Sequence, residues 1–551
     1  HFILYLYIKS MQKEILELHN LINLKNIDKA YVEAKKLYKL DKKNQDIVKV
    51  LAYLHIQKSN FEGAIKVLDE YYDENFVEKD FDYYVNKGIS LKSIEEFESS
   101  LAMYDKATEI NSSSPLCYTV PAEIYLKLRK FDKAINLINL ALEKINESKD
   151  KNFLYFPNAI KLKTEINVAL NRDRESGDML KDILKEKFHP DIFYLLSTIN
   201  AGLIDEELRE KAEKQLEIND MSFQNKLDRF WYVHPLYFGL AIYYQKIDQA
   251  KSENFYNLGN KETMNSLRYN SFEYQKNISD IIYHYKNFEA ETDINSEEGL
   301  NNIFILGTPR SGTTLIESII GSCSDVTSGG ELLSGFKLVN EFVNSADINT
   351  DEFIKNFKIK YLNRTDYLRG DFKFVIDKLP ENFLFIGYLL KILPNSKIIR
   401  VFRDPWDVAI SLYKQRYVTN IPYSASFFNI GVFMSNFEAI NIFWSNQIKK
   451  NKNLLNIKYE ELVRETDHYQ REIYQFLGLK SDFDEEKRKK FFSQTASIRQ
   501  IGGSVHSKSI EKKEFLGHKN EFYDALIMQR KYWEKRGFEF KNDDFFGYKL
   551  G

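Results

Sequence analysis

Four apolar residues, Ile303-Phe304-Ile305-Leu306, run directly into a loop bounded by Gly307 and Gly312. The loop, Thr308-Pro309-Arg310-Ser311, opens into the stretch Thr313 to Ile320. This pattern reads as a buried strand, a tight turn and the first turns of a helix. At such a junction the unbonded backbone N–H groups and the positive end of the helix dipole converge on one point. The segment is therefore a cradle for an anion, and it can only be built where a sheet holds the strand.

The spacing Gly-x-x-x-x-Gly is that of a nucleotide P-loop, which places Lys after the second glycine to reach the outer phosphates. This chain has Thr313 there and carries its cation inside the loop, as Arg310. No acidic strand end stands out for magnesium either. A P-loop kinase is thus the less favoured reading of this loop.

At 551 residues the chain is too long for one hydrophobic core, and two or more domains are expected. The formal net charge of -2 gives no reason to expect a nucleic acid or a membrane surface as partner. The two cysteines, Cys117 and Cys323, make a disulfide framework unlike this chain and suit a reducing, cytoplasmic setting. The apolar run His1 to Ile8 is too short to span a bilayer and has neither basic leader nor cleavage site. Residues 1–10 read as upstream of the true start, before Met11, or as part of a truncated record. No cluster has metal-ligand spacing, so no metal is expected.

The first half repeats itself. Ile27-Asp28-Lys29-Ala30, Phe61-Glu62-Gly63-Ala64, Phe97-Glu98-Ser99-Ser100 and Phe131-Asp132-Lys133-Ala134 recur at intervals of 34, 36 and 34 residues. Ten positions after each lead residue stands Leu37, Tyr71, Ala107 or Ala141. A large-x-x-small signature at this period resembles tetratricopeptide repeats, stacked helical hairpins that bury apolar faces only against neighbours. An α solenoid over residues 11–290 is expected, with a surface that suits a protein or peptide partner. Register fades over 150–235, and Ile247-Asp248-Gln249-Ala250 reads as one more repeat.

After the acidic stretch Glu289 to Glu298, short apolar runs alternate with helical patterns: Ile303–Leu306, Phe374–Ile376, Ile398–Phe402 and Leu454–Ile457. Strands alternating with helices imply an α/β domain with a mainly parallel sheet, here over 300–545. The third of these strands runs into Arg403-Asp404-Pro405, with Ser411 eight residues after the arginine. An arginine can fork onto a phosphate and a serine can add a hydroxyl. Two anion sites, at 307–314 and 403–411, suggest a nucleotide with phosphates at both ends of its ribose.

Together these segments resemble the sulfotransferases that use 3'-phosphoadenosine 5'-phosphosulfate. Thr308-Pro309-Arg310-Ser311-Gly312-Thr313-Thr314 is similar to their 5'-phosphosulfate loop, and Arg403 with Ser411 to their 3'-phosphate pair. Asp377-Lys378-Leu379-Pro380-Glu381-Asn382-Phe383 resembles the bacterial branch fused to tetratricopeptide repeats, whose catalytic region is similar to protein-tyrosine sulfotransferases. The resemblance implies that Arg310, Ser311, Gly312, Thr313 and Thr314 hold the 5'-phosphosulfate, and that Arg403 and Ser411 hold the 3'-phosphate. It further implies that Tyr459 lies near the nucleotide, that Ser497 touches the transferring group and that Lys508 belongs to a covering segment.

Transfer to a hydroxyl also needs a base. There is no His between His284 and His468. Gly329-Gly330-Glu331 resembles the Gly-Glu segment of the tyrosine sulfotransferase branch, where Glu is the base, so Glu331 is the candidate. A carboxylate in a half-desolvated cleft can titrate closer to neutrality, which suits the task. Lys378 and Arg310 would stabilise charge on the leaving group. Read without the resemblance, Glu331 could also be a solvated helix-start residue. The family's C-terminal segment departs here: Gln500-Ile501-Gly502-Gly503-Ser504 and Ser509-Ile510-Glu511-Lys512-Lys513 stand where its Gln-x-x-Gln-Pro and Ser-Val-Gly-Arg-Trp would, without the proline, glycine and tryptophan of those motifs, which keeps open a repeat scaffold that has lost catalysis. The acceptor could be a tyrosyl peptide, a glycan or a small molecule with a hydroxyl.

Overall fold

The computed structural model describes residues 2–75, 77–147, 155–217, 223, 225–267, 269–288, 299–345, 349–417, 421–448, 452–479, 514–541 and 544–550. It falls into two compact units, 1–166 and 167–551. Among the described residues, no helix is long and apolar enough to cross a membrane.

The first unit is a succession of helical hairpins whose second helices begin on the repeat's lead residues: Ile27–Leu40, Phe61–Glu74, Phe97–Ile110 and Phe131–Glu147. The small residues three positions on, Ala30, Ala64, Ser100 and Ala134, are fully buried. Ser100 Oγ donates to the Gly88 carbonyl of the preceding helix at 2.7 Å, a contact a larger side chain would break. The turns entering these helices are alike. Lys25, Ser59, Glu95 and Arg129, each two positions before a lead residue, have positive φ. The next amide closes back on a carbonyl five residues earlier: Asn26 to Leu21, Asn60 to His55 and Glu96 to Leu91 at 2.9 Å, and Lys130 to Tyr125 at 2.8 Å. This is the 6→1 bond that satisfies a helix C-terminus through a left-handed residue.

The second unit, 167–551, opens with the same device. Asn171 has positive φ, Arg172 N reaches Asn167 O at 2.8 Å, and buried Ser176 takes the small position in the helix Asp173–Glu186. The lead position lies further from Phe131 than one period, which is why the register fades in the sequence. The expected repeat at Ile247 is out of register by two residues. Ile247 is 65% exposed, and Asp248 caps the helix Gln249–Ser266. Ser252 takes the inward position, donating from Oγ to Ala241 O at 2.7 Å.

The helices up to Lys286 do not end at a break in packing. Tyr285 lies edge-on to Trp444 at 4.7 Å and to Tyr388 at 5.2 Å. Asn260 Nδ2 donates to Tyr413 O at 2.8 Å. The expected boundary at 290–300 therefore falls inside one compact unit.

Five parallel strands form the sheet: β1 (Asn302–Gly307), β2 (Val326–Ser328), β3 (Phe374–Asp377), β4 (Lys397–Phe402) and β5 (Leu454–Lys458), in the order β2-β3-β1-β4-β5. Every residue of β1 is buried, as a central strand covered on both faces requires. Ile303 and Ile305 pack with Leu315, Ile316 and Ile319 of the helix Thr313–Gly321. On the other face Phe304 stacks on Tyr361, 5.9 Å between ring centres. The strand absent from the sequence reading is β2, three residues that include Thr327 and Ser328 and so give no apolar run. The strand order reverses between β1 and β4, and ligands of such sheets bind beyond the carboxyl ends at that point.

Beneath the sheet, the helices Phe427–Gln447 and Lys519–Glu534 pack closely. Their buried polar contacts include Arg530 on Glu438, with Nη2 to Oε1 at 2.6 Å and Nε to Oε2 at 2.8 Å, and Gln529 and Trp533 both donating to Asn436 Oδ1. A Cβ on Gly431 would lie 2.3 Å from the Phe522 carbonyl oxygen, backbone that cannot rotate away. Gly431→Ala is expected to cost about 2 kcal/mol of stability through overpacking. Urea denaturation monitored by circular dichroism checks this; a midpoint equal to wild type would contradict it.

Candidate active site

Each strand delivers one candidate residue at its carboxyl end. After β1 comes the loop with Arg310, after β2 Glu331, after β3 Lys378, after β4 Arg403, and directly after β5 Tyr459. Residues far apart in sequence are gathered because parallel strands all end on one edge.

The β1 loop is held in two left-handed residues, Arg310 at φ 73° and Gly312 at φ 106°. Gly312 is required there on two grounds. Its φ suits glycine, and a Cβ would stand 2.3 Å from Cδ2 of Tyr459. Ser311 is fully buried, and its Oγ has no hydrogen-bond partner among the described residues. A buried hydroxyl without a partner costs free energy, and an anion in the loop would remove that cost. Thr313 and Thr314 are buried at the start of the helix Thr313–Gly321, whose first N–H groups have no partner inside the helix.

Arg310 and Arg403 meet over this loop. Arg403 Nη1 donates to the Arg310 carbonyl at 3.0 Å, and its guanidinium lies 4.5 Å from the Tyr459 ring centre. Arg310 Nε donates to Ser411 Oγ at 3.1 Å. The two expected phosphate sites are thus adjoining rather than separate. Burial holds the Arg310 guanidinium below its ordinary value; the Tyr417 phenol opposes this, and the charge of Arg403 adds to it. The Asp407 carboxylate lies 3.8 Å from Arg403 Nη2. A half-buried cation, Arg310, and a buried one, Arg403, facing one loop are what an anionic ligand would neutralise.

Glu331 and Lys378 form a pair on the other side. The Gly329 amide donates to Ile376 O and the Lys378 amide to Gly330 O, both at 2.8 Å. These bonds lock the two loops together and set Lys378 Nζ 2.6 Å from Glu331 Oε1. Glu331 is not at a helix start: it precedes the helix Leu333–Asn344, and its side chain is 55% exposed. Burial pulls the Lys378 amine down, but Glu331, helped by Glu317, outweighs it and leaves the amine raised.

Ser497, Lys508 and the 502–513 segment lie outside the described residues. Among the described residues, no group of three or more His, Cys, Asp or Glu side chains could hold a metal ion. The sequence reading assigned no role to Glu381, which follows Pro380 at the start of a short helical turn. Burial, reinforced by Glu331, pushes its carboxyl up to about 7. Its spacing from Lys378 was visible in the motif, but nothing in the sequence showed that it would be enclosed.

Residues 302–485 match the family model described as "Sulfotransferase family". The chain carries a sulfotransferase-family domain. Among its relatives, an uncharacterised protein of Aquifex aeolicus (strain VF5) is 32% identical over 229 residues, covering 38% of this chain and 30% of that one. A Caenorhabditis briggsae protein named "Putative protein-tyrosine sulfotransferase" is 26% identical over 193 residues, covering 32% of this chain and 65% of that one. The chain therefore spans less than two thirds of either relative's length. The crystal structure of sulfotransferase STF1 from Mycobacterium tuberculosis H37Rv aligns over 55% of this chain and 96% of that one, at 12% identity and a TM-score of 0.25.

The sulfotransferase-family domain makes a prediction about pH. Glu381 titrates near 7 in the folded protein against an ordinary 4.5, so folding favours its protonated form. That contribution is full below about 4.5 and is lost as pH rises through 7. Glu381→Gln should therefore raise the melting temperature at pH 8 and leave it nearly unchanged at pH 5. Glu438, also pushed up to about 7 by burial, titrates in both proteins and cancels. Thermal melts at the two pH values check this; an equal difference at both would contradict it.

Proposed function

We propose that this chain is a sulfotransferase that moves a sulfuryl group from 3'-phosphoadenosine 5'-phosphosulfate to a hydroxyl acceptor. The observation that carries the reading is the joining of Arg310, Ser411 and Arg403 at the β1–β4 edge, with Lys378 and Glu331 beside it. The partnerless Ser311 hydroxyl and the Gly312 turn fit a phosphate group in the loop. In this reading residues 310–314 hold the 5'-phosphosulfate, Arg403 and Ser411 hold the 3'-phosphate, and Tyr459 braces Arg403. The donor, when bound, supplies the sulfuryl group, and cleavage from it leaves negative charge on the 5'-phosphate.

Glu331 takes the proton of the acceptor hydroxyl; its side chain is about half exposed, and Lys378 holds its Oε1. Lys378 and Arg310 place positive charge where the leaving oxygen gains negative charge, the type of electrostatic help worth most in a water-poor site. No metal is assigned. Ser497 is placed at the transferring group and Lys508 over the nucleotide on the resemblance alone.

We place the catalytic domain at 300–545 and the repeat region at 11–290, with the repeats as the surface for a protein or peptide partner. The name of the nematode relative favours a tyrosyl peptide as acceptor over a glycan or small molecule. A cytoplasmic setting goes with two buried thiols, Cys117 and Cys323.

Transfer of radiolabel from the donor to tyrosine-containing peptides tests the reading. Glu331→Gln should lower turnover by about 100-fold or more, the loss expected of a general base, while nucleotide binding measured by calorimetry stays as in wild type. Turnover unchanged in Glu331→Gln would remove Glu331 from the mechanism.

A further inference from the structure

The helix Thr313–Gly321, which opens from the anion loop, is buried along its whole length and carries one ionisable side chain, Glu317. A carboxyl group taken out of water disfavours the fold unless hydrogen bonds offset the loss. Glu317 is 1% exposed, and its Oε1 accepts from Ser328 Oγ at 2.5 Å. Ser328 is the last residue of β2 and is itself buried. A carboxyl on the first helix of the sheet domain is thus fastened to the strand that leads into the Glu331 loop.

The Ser328 hydroxyl bonds in two directions. Its proton goes to Glu317, which leaves its lone pairs for the Gly330 amide, and that amide donates to it at 2.9 Å. Gly330 has φ 69°, so the chain turns there through the left-handed region that glycine enters freely. The carbonyl of Gly330 accepts from the Lys378 amide at 2.8 Å. Both polar groups of the Gly330 backbone are therefore fixed. One leads through Ser328 to Glu317, and the other to the residue whose Nζ lies 2.6 Å from Glu331 Oε1. The Glu331 side chain is 55% exposed, so its direction depends on the turn ahead of it and on Lys378.

We propose that Glu317 and Ser328 are positioning residues for the candidate base: together they set the Gly330 turn, and through it the direction of Glu331 against Lys378. The proposal rests on the sulfotransferase reading and adds to it two residues and a device. Neither side chain touches the donor or the acceptor, and no bond to either forms or breaks. The helix that opens the anion loop thereby also fixes the loop of the base. A tie that only stabilised the fold would be served as well by an apolar pair of similar volume, and its loss would not single out turnover.

Radiolabel transfer to tyrosine-containing peptides, calorimetry and crystallography separate the two roles. Ser328→Ala should bind 3'-phosphoadenosine 5'-phosphate as wild type does and turn over about tenfold more slowly, the scale of loss from a misdirected reacting group. Glu317→Met, which keeps an unbranched side chain and removes the acceptor, should lose the same factor, and the double variant no more. In the Glu331→Gln background, adding Ser328→Ala should slow turnover no further, because both act through one group. In the crystal structure of Ser328→Ala the Glu331–Lys378 contact should be lost. Wild-type turnover in Ser328→Ala, a further loss of similar size in the Glu331→Gln background, or an unaltered Glu331–Lys378 pair overturns the proposal and leaves the sulfotransferase reading standing. Wild-type protein that does not bind the bisphosphate overturns that reading and this proposal with it.

Discussion

The guanidinium of Arg403 is fixed to the Arg310 carbonyl, within electrostatic reach of the Arg310 side chain, at the carboxyl edge of a parallel sheet, and the rest of the site is arranged around that concentration of charge. Like charges brought together out of water disfavour the fold unless something offsets them. Among the protein's own offsets are an Asp407 carboxylate at 3.8 Å, the face of Tyr459 and the Ser411 hydroxyl. The remaining positive potential is directed at the Gly307–Gly312 loop, where a helix start adds to it. A site built this way is tuned to a multiply charged anion.

The sheet's topology is what makes that concentration possible. With β1 central and the strand order reversing between β1 and β4, the loops after these two strands open onto one crevice. The loops after β2 and β3 are tied together through the Gly329–Ile376 and Lys378–Gly330 backbone bonds, which bring Glu331 and Lys378 to the same edge. The helices ahead of the sheet are not spectators. Asn257 and Asn260 hold Tyr413, and Asp191 and His234 hold Arg416, so the segment carrying Ser411 is braced from outside the sheet.

Much of this was legible in the residues. The repeat phase was readable because each unit needs a small residue where two helices touch, and Ala30, Ala64, Ser100 and Ala134 all serve that purpose. The strand–loop–helix unit was readable because Gly312 must be glycine and an apolar run must precede it. What escaped the sequence has physical causes. The unit at Asn171 kept its turn but lost its spacing, and the Ile247 register slipped by two because Asp248 makes the better cap. Strand β2 is three residues long, two of them polar. Glu381 could not be singled out because its surroundings come from distant segments.

The central claim is that the crevice recognises a nucleotide carrying phosphates at both ends of its ribose, without metal and without the P-loop lysine. Calorimetric titration of the protein with 3'-phosphoadenosine 5'-phosphate, adenosine 5'-phosphate and magnesium ADP tests it most directly. The account predicts that the bisphosphate binds about 10- to 100-fold more tightly than adenosine 5'-phosphate, the loss expected when charged hydrogen bonds to the 3'-phosphate are removed. Affinity for magnesium ADP equal to or above that for the bisphosphate would contradict it.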